Sequence, residues 1–283
     1  MRFSEDRYAA LPVGGQTERK IHVWEPAAPR AVILALHGGM AHAGDYVTPA
    51  LYFRAHGIAT VSYDMCGHEG AHRADIPGFQ VFLDEGEKFL SWVKRSYPGL
   101  PIYVMGHSMG GLIATHLGLE RFPADAAIKG FILSSPYYVN AIKVSPILQA
   151  LSGVLAKLAP TMKVPLAPLA EVLTHDRAIT ARHQADERDN IRASEITVRF
   201  AHALGQAQLG LADKLPAWRY PLFAAIAGDD RLADSAASEA MLAKLPAGLL
   251  ELHRYPANFH ENFNELNREE IFAQILDWIG RHG

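Results

Sequence analysis

The run Gly106-His107-Ser108-Met109-Gly110-Gly111 places a serine between glycines, with the apolar stretch Ile102 to Met105 before it and Leu112 to Glu120 after it. The first flank reads as a strand and the second as a helix. Strand, sharp turn and helix, in that order, lift a serine hydroxyl to the end of a parallel sheet on a strained turn. Gly106 and Gly110 fit that turn, because a side chain at either position would collide with the neighbouring strand or helix. Ser108 is the candidate nucleophile, and acyl transfer is the chemistry it offers.

A serine hydroxyl is a poor nucleophile at neutral pH. It needs a base, and the base needs an orienting carboxylate. In a sheet of this kind both follow the serine, acid first and histidine second, each after a strand. Leu222 to Ala227 is such a strand and leads into Gly228-Asp229-Asp230-Arg231-Leu232-Ala233-Asp234. Leu249 to Tyr255 is another and leads into Pro256-Ala257-Asn258-Phe259-His260-Glu261. Asp230 and His260 are assigned as acid and base. Asp229 and Asp234 compete as turn or cap residues, and His253 competes as base but falls inside an alternating strand. Two N–H donors must face the developing oxyanion; Met109, after the serine, gives one and Gly39, after an earlier strand, the other. Met40, His107, Leu148 and Leu151 are taken as substrate-binding residues.

A second motif points elsewhere. His68-Glu69-Gly70-Ala71-His72 spells H-E-x-x-H, a zinc-peptidase pattern that works only on a helix, where both histidines share a face. Here it follows a strand end and Gly67, contains Gly70, and has Pro77 shortly after. A loop is the expectation, with no metal and no cofactor.

The elements that would position these groups alternate along the chain. A hairpin is expected near Lys20 to Glu25. Buried strands are expected at Ala31 to Leu36, Ile58 to Tyr63 and Gly130 to Ser134, and helices at Tyr46 to His56, Phe82 to Ser96 and Arg268 to Gly280. Continuous apolar runs of strand length mark strands covered on both faces. Alternation of this kind predicts a doubly wound, mostly parallel α/β sheet. Between Pro136 and Pro221 the alternation stops. That stretch shows helix-like patterns and no convincing strand, so a helical cap over 137–217 is expected to interrupt a core made of 1–136 and 218–283. Its first helix carries Ile147, Leu148, Leu151, Val154, Leu155 and Leu158. Such a helix either faces the core or touches a membrane surface transiently.

Composition narrows the classes. With 283 residues, 49% of them hydrophobic, and a net charge of -3, the chain has room for a large α/β core and no basic footprint for nucleic acid. The single cysteine, Cys66, excludes an internal disulfide and reads as a small, partly buried residue. Charges fill the N-terminal stretch where a secretory segment would be apolar, and no run of about 18 apolar residues exists, so a cytoplasmic location is expected.

With these residues placed, the chain resembles the α/β-hydrolases of the monoacylglycerol lipase and lysophospholipase-like group. His37-Gly38-Gly39-Met40-Ala41-His42-Ala43-Gly44-Asp45-Tyr46 is similar to the group's H-G-x-x-x-H-x-G-x-Y segment, which places Gly39 in its oxyanion hole. Gly106 to Gly111 matches the nucleophile region, Asp230 to Ser235 the acid segment, and His260 the base. The departure is at Gly67-His68-Glu69-Gly70-Ala71, where the group commonly shows G-H-G-x-S. The resemblance implies an α/β-hydrolase fold with an inserted helical cap. It also implies a serine esterase acting on single-chain lipid esters or short-to-medium-chain aliphatic esters. Thioesterase, lactonase and peptidase chemistry remain open on the same triad. Ser108 stands where epoxide chemistry wants an aspartate. A non-catalytic lipid-binding homologue is the reading from another class.

Overall fold

The computed structural model describes residues 1–70, 73–122, 125–141, 146–166 and 169–283, with the side chains of 146–151 left out. The expected hairpin is formed by β1 (Arg7–Gly14) and β2 (Thr17–Trp24). Six further strands join it: β3 (Ala31–Leu36), β4 (Ile58–Tyr63), β5 (Ile102–His107), β6 (Ile128–Ser134), β9 (Leu222–Ala227) and β10 (Leu250–Tyr255), with β7 and β8 set apart below. The order across the sheet is β1-β2-β4-β3-β5-β6-β9-β10. Only β2 runs against the rest, pairing antiparallel with β1 and β4.

Period-two alternation divides the core into two layers. Val32, Leu34 and Leu36 of β3 face one layer, with Phe82, Phe89, Leu112 and Ile113 from α2 (Gln80–Ser96) and α3 (Met109–His116). Ala31, Ile33 and Ala35 face the other, with Phe53 of α1 (Val47–Ala55) and Phe272, Ile275 and Trp278 of α10 (Arg268–His282). Every residue of β3, β4 and β9 is buried; β3 and β9 accordingly read as unbroken apolar runs, whereas β4 buries Thr60 and Ser62 among its apolar residues. The helix expected over Leu112 to Glu120 stops earlier: α3 ends at His116, and a single wide turn, Leu117–Arg121, follows.

Among the described residues, the segment between β6 and β9 adds no strand to this sheet. It carries α4 (Pro146–Leu158), α5 (Ala170–Leu173), α6 (Arg177–Arg188), α7 (Val198–Gln208) and α8 (Leu211–Lys214). The expectation of no strand here needs correction. β7 (Lys163–Pro165) and β8 (Glu195–Thr197) pair antiparallel as a small separate ladder. Each has three residues, too few to show a period, and Pro165 lowers strand propensity further.

Candidate active site

The serine turn is built from close contacts that only glycine allows. Ser108 has φ 53 and ψ -119, a region in which non-glycine residues are strained. A Cβ on Gly110 would sit 1.9 Å from the Leu36 carbonyl oxygen, and one on Gly106 would sit 2.4 Å from that of Gly110. The turn is then locked by its backbone. The Ser108 amide donates to Ser134 O at 3.0 Å, and the Ser108 carbonyl accepts from Gly111, Leu112 and Tyr137.

His260 and Asp230 meet although thirty positions separate them. His260 Nδ1 lies 2.7 Å from Asp230 Oδ2. The other carboxylate oxygen of Asp230 accepts from the amides of Leu232 (2.8 Å) and Ala233 (3.0 Å). Burial alone would raise the Asp230 carboxyl, but His260 and these two amides hold it below its ordinary value. The His260 ring packs on that of His107, centroids 4.7 Å apart, and both line one cavity with Ser108. The competing residues have other engagements. Asp234 caps α9 (Ser235–Leu242) by accepting from Ala237 N, Asp229 has a half-exposed side chain, and His253 bonds Glu251 at 3.0 Å on the pleat of β10.

The loop after β3 faces the serine. A Cβ on Gly39 would be 3.6 Å from Met109 Sδ, and one on Gly38 would be 3.5 Å from Ser108 Cβ. His37 sets the direction of the intervening peptide. Its Nε2 accepts from the Met65 amide at 3.1 Å, so its proton is on Nδ1, which donates to Gly38 O at 2.8 Å. Burial lowers this ring to about 4, keeping it neutral. In a trans peptide the N–H points opposite the carbonyl. Gly38 O turned towards His37 therefore turns the Gly39 N–H away from it. Met109 opens α3, where an amide has no intrahelical acceptor.

The cavity measures about 190 Å³, below the roughly 300–1,000 Å³ of drug-sized ligand sites. Met40, Tyr46, Leu166, Leu169, Leu173, Leu232 and Phe263 give it apolar walls. Met40 and His107 line it, and His107 Nδ1 lies 3.2 Å from Ser134 O. Leu148 and Leu151 lie in α4, but their side chains fall outside the described residues.

One end of the cavity is charged, which sequence reading missed. Asp45, Arg192 and Glu261 line it together. The buried Arg192 guanidinium bonds Asp45 and lies 3.8 Å from Glu261. Burial would raise Asp45, but Arg192, His42, His183 and Arg182 hold it well below the usual carboxylate range. The only signal was that Asp45 stands beside the H-x-G part of the loop after β3; nothing marked Arg192 as its partner 147 positions away. His42, Asp45 and Asp186 converge, with ligand atoms within 4.8 Å of one another. Arg192 on Asp45 and Arg2 on Asp186 (2.6 Å) already balance those carboxylates, so a cation is not needed there.

His68 and Glu69 of the H-E-x-x-H run lie in a bend and not in an α-helix. His68 is buried, with Nδ1 3.0 Å from Cys66 O, and Glu69 pairs with Arg19 at 3.1 Å. His72 lies outside the described residues. Cys66 is half-buried, and burial pushes its thiol up.

Comparison with known proteins adds relatives to this geometry. The family model described as Hydrolase_4, serine aminopeptidase S33, matches residues 27–267. A "Monoacylglycerol lipase" of Mycolicibacterium smegmatis is 31% identical over 268 residues, covering 92% of each chain. "Phospholipase YtpA" of Bacillus subtilis is 29% identical, covering 88% of this chain and 95% of its own. Among solved structures, a soluble variant of monoglyceride lipase from Saccharomyces cerevisiae, in complex with a substrate analog, superposes with a TM-score of 0.81. It is 21% identical and covers 98% of this chain and 94% of its own, a likeness of fold.

Proposed function

The chain belongs to the serine aminopeptidase S33 family of α/β hydrolases, and from that premise we propose a serine esterase that cleaves single-chain lipid esters through Ser108. The observation that carries this reading is the constellation at one cavity: a serine on a strained glycine turn and a histidine bonded to a buried aspartate. Ser108 Oγ attacks the ester carbonyl while His260 takes its proton. The oxyanion is received by the amides of Gly39 and Met109, each worth about a hundred- to a thousandfold in turnover. His260 returns the proton to the leaving alcohol. It then activates water, which releases the fatty acid and restores the serine. Asp230 keeps the tautomer that puts a free ring nitrogen towards the serine.

Substrate class rests on the cavity and the relatives. Its apolar walls suit an acyl chain, at about 0.8 kcal/mol per buried methylene, and its small volume suits one chain rather than two. A monoacylglycerol lipase and a phospholipase among the relatives fit lipid esters of that kind. Fatty-acid release from monoacylglycerols of increasing chain length, with a chelator present, tests this. A chain-length optimum is expected; no release at any length would remove lipid esters and leave thioesters, lactones and peptides.

The segment 137–217 is read as the cap. Val154, Leu155, Leu158, Met162 and Val164 are exposed there, within eleven positions, with Lys157 and Lys163 among them. Exposed apolar side chains mixed with lysines suit transient contact with an anionic lipid surface. No helix among the described residues is long and apolar enough to cross a membrane. Val154→Ser/Leu158→Ser should weaken sedimentation with anionic vesicles several-fold and leave turnover of a water-soluble ester intact. Unchanged sedimentation would remove this contact.

A further inference from the structure

The loop that carries His260 is held from two sides. On the core side, Asn262 Nδ2 donates to Ser135 Oγ and to Ala225 O, both at 3.1 Å, fixing the far end of the loop to β9 and to the residue that follows β6. On the other side stands the cap segment that joins α5 to α6. Leu173 O accepts from the Glu261 amide at 2.8 Å. Thr174 Oγ1 donates to Asn264 O at 2.7 Å. His175 meets Glu265: its ring Nδ1 lies 2.9 Å from Glu265 Oε1, and its ring stacks on Phe259 with centroids 3.7 Å apart. The same Oε1 accepts from the Phe259 amide at 2.9 Å, and Oε2 accepts from the Leu266 amide at 3.1 Å. Arg268 closes the contact on Asp176 at 2.7 Å.

The backbone neighbours of His260 are therefore both fixed by this contact. The amide before it, Phe259, is taken by a buried carboxylate that also holds a cap histidine. The amide after it, Glu261, is taken by a cap carbonyl. A cap that only walled the substrate would have no reason to bond both. We propose that Leu173, Thr174 and His175 of the cap, with Glu265, form a clasp that sets the position of His260. The cap is then part of the catalytic geometry, and substrate entry must use the side of the cap away from this clasp. Thr174, His175 and Glu265 are positioning residues: none of them lines the cavity.

This rests on His260 being the base proposed above. The test compares Thr174→Val, which keeps shape and loses the hydroxyl, and His175→Phe, which keeps the stack and loses the Nδ1 bond, with Thr174→Ser as the conservative variant. On a soluble short-chain p-nitrophenyl ester, a displaced base is expected to lower kcat by roughly tenfold or more at nearly unchanged KM. Thr174→Ser should restore it, and melting temperatures should stay close to that of the unmodified protein. Unchanged kcat in both variants, or a rise in KM alone, would overturn the clasp. So would a loss in kcat that Thr174→Ser shares in full. The proton between His260 and Asp230 supplies a readout that needs no substrate. Its downfield NMR resonance should move in Thr174→Val and His175→Phe, and an unmoved resonance in both counts against the clasp. If the unmodified protein cleaves no ester, the proposed substrate class fails, and the resonance alone then decides the clasp.

Discussion

Asp230 has both carboxylate oxygens occupied before any substrate arrives, one by His260 and the other by two amides of its own loop. Replacing it with Asn keeps the shape but gives the His260 Nδ1 a partner that can bond it in either tautomer. Asp230→Asn should therefore lower kcat by about ten-thousandfold, with a folded protein. Asp229→Asn, at a half-exposed neighbour, should change kcat less than about threefold. Steady-state kinetics on a soluble ester checks both, and a reversed ranking would exchange the roles of the two carboxylates. At this scale the sequence was legible wherever chemistry limits the choice. A serine on a glycine turn and a histidine after the last strand have few alternatives. Asp45 and Arg192 were not legible, because an ion pair between distant positions leaves no local pattern. Thr174 and Glu265 were hidden for the same reason: each acts through the three-dimensional closure of a loop.

Glycines at the level of elements separate into those that permit contact and those that do not. Gly110 lets α3 approach β3, and a Cβ there would overlap the Leu36 carbonyl. Gly205 lies inside α7 with nothing within 4 Å of the position a Cβ would take. Gly110→Ala should abolish turnover and lower the melting temperature. Gly205→Ala should raise stability by up to about 1 kcal/mol. Thermal unfolding of the two variants checks this, and a tolerated Gly110→Ala would contradict the close approach. Elements buried on both faces, β3, β4 and β9, matched the bounds expected for them end to end. The pair β7 and β8 did not announce itself. Three-residue strands are fixed by what packs around them: Thr197 donates its amide to Ala74 O and its hydroxyl to Asp75 at 2.9 Å. The wide turn after α3 is likewise a packing outcome, since Leu117 and Gly118 are buried there against α2 and Trp218.

Across the whole molecule, acid should loosen the fold through histidines that are buried neutral. Burial lowers His37 and His107 from 6.5 to about 4, and His68 to about 3. Below pH 6.5 the unfolded chain binds protons that these rings refuse in the folded state. Their contribution is present in full above pH 6.5 and is lost as pH falls through about 4. Asp230 and Asp64, held below their ordinary values, extend the loss to lower pH. Glu69 and Glu85 act in the opposite direction, because burial pushes their carboxyls up. The urea midpoint should fall between pH 7 and pH 5, and a midpoint that rises would mean the two glutamates outweigh the three histidines.

The central claim is that an acyl group passes through Ser108, and trapping that intermediate tests it most directly. The protein is mixed with a short-chain p-nitrophenyl ester, quenched in acid within milliseconds, and analysed by mass spectrometry of the intact chain and its peptides. The account predicts a gain equal to the acyl group less one hydrogen, on the peptide containing Ser108, and no gain in Ser108→Ala, which should also lose turnover. Turnover that persists in Ser108→Ala, or an acyl group found on another residue, would contradict it.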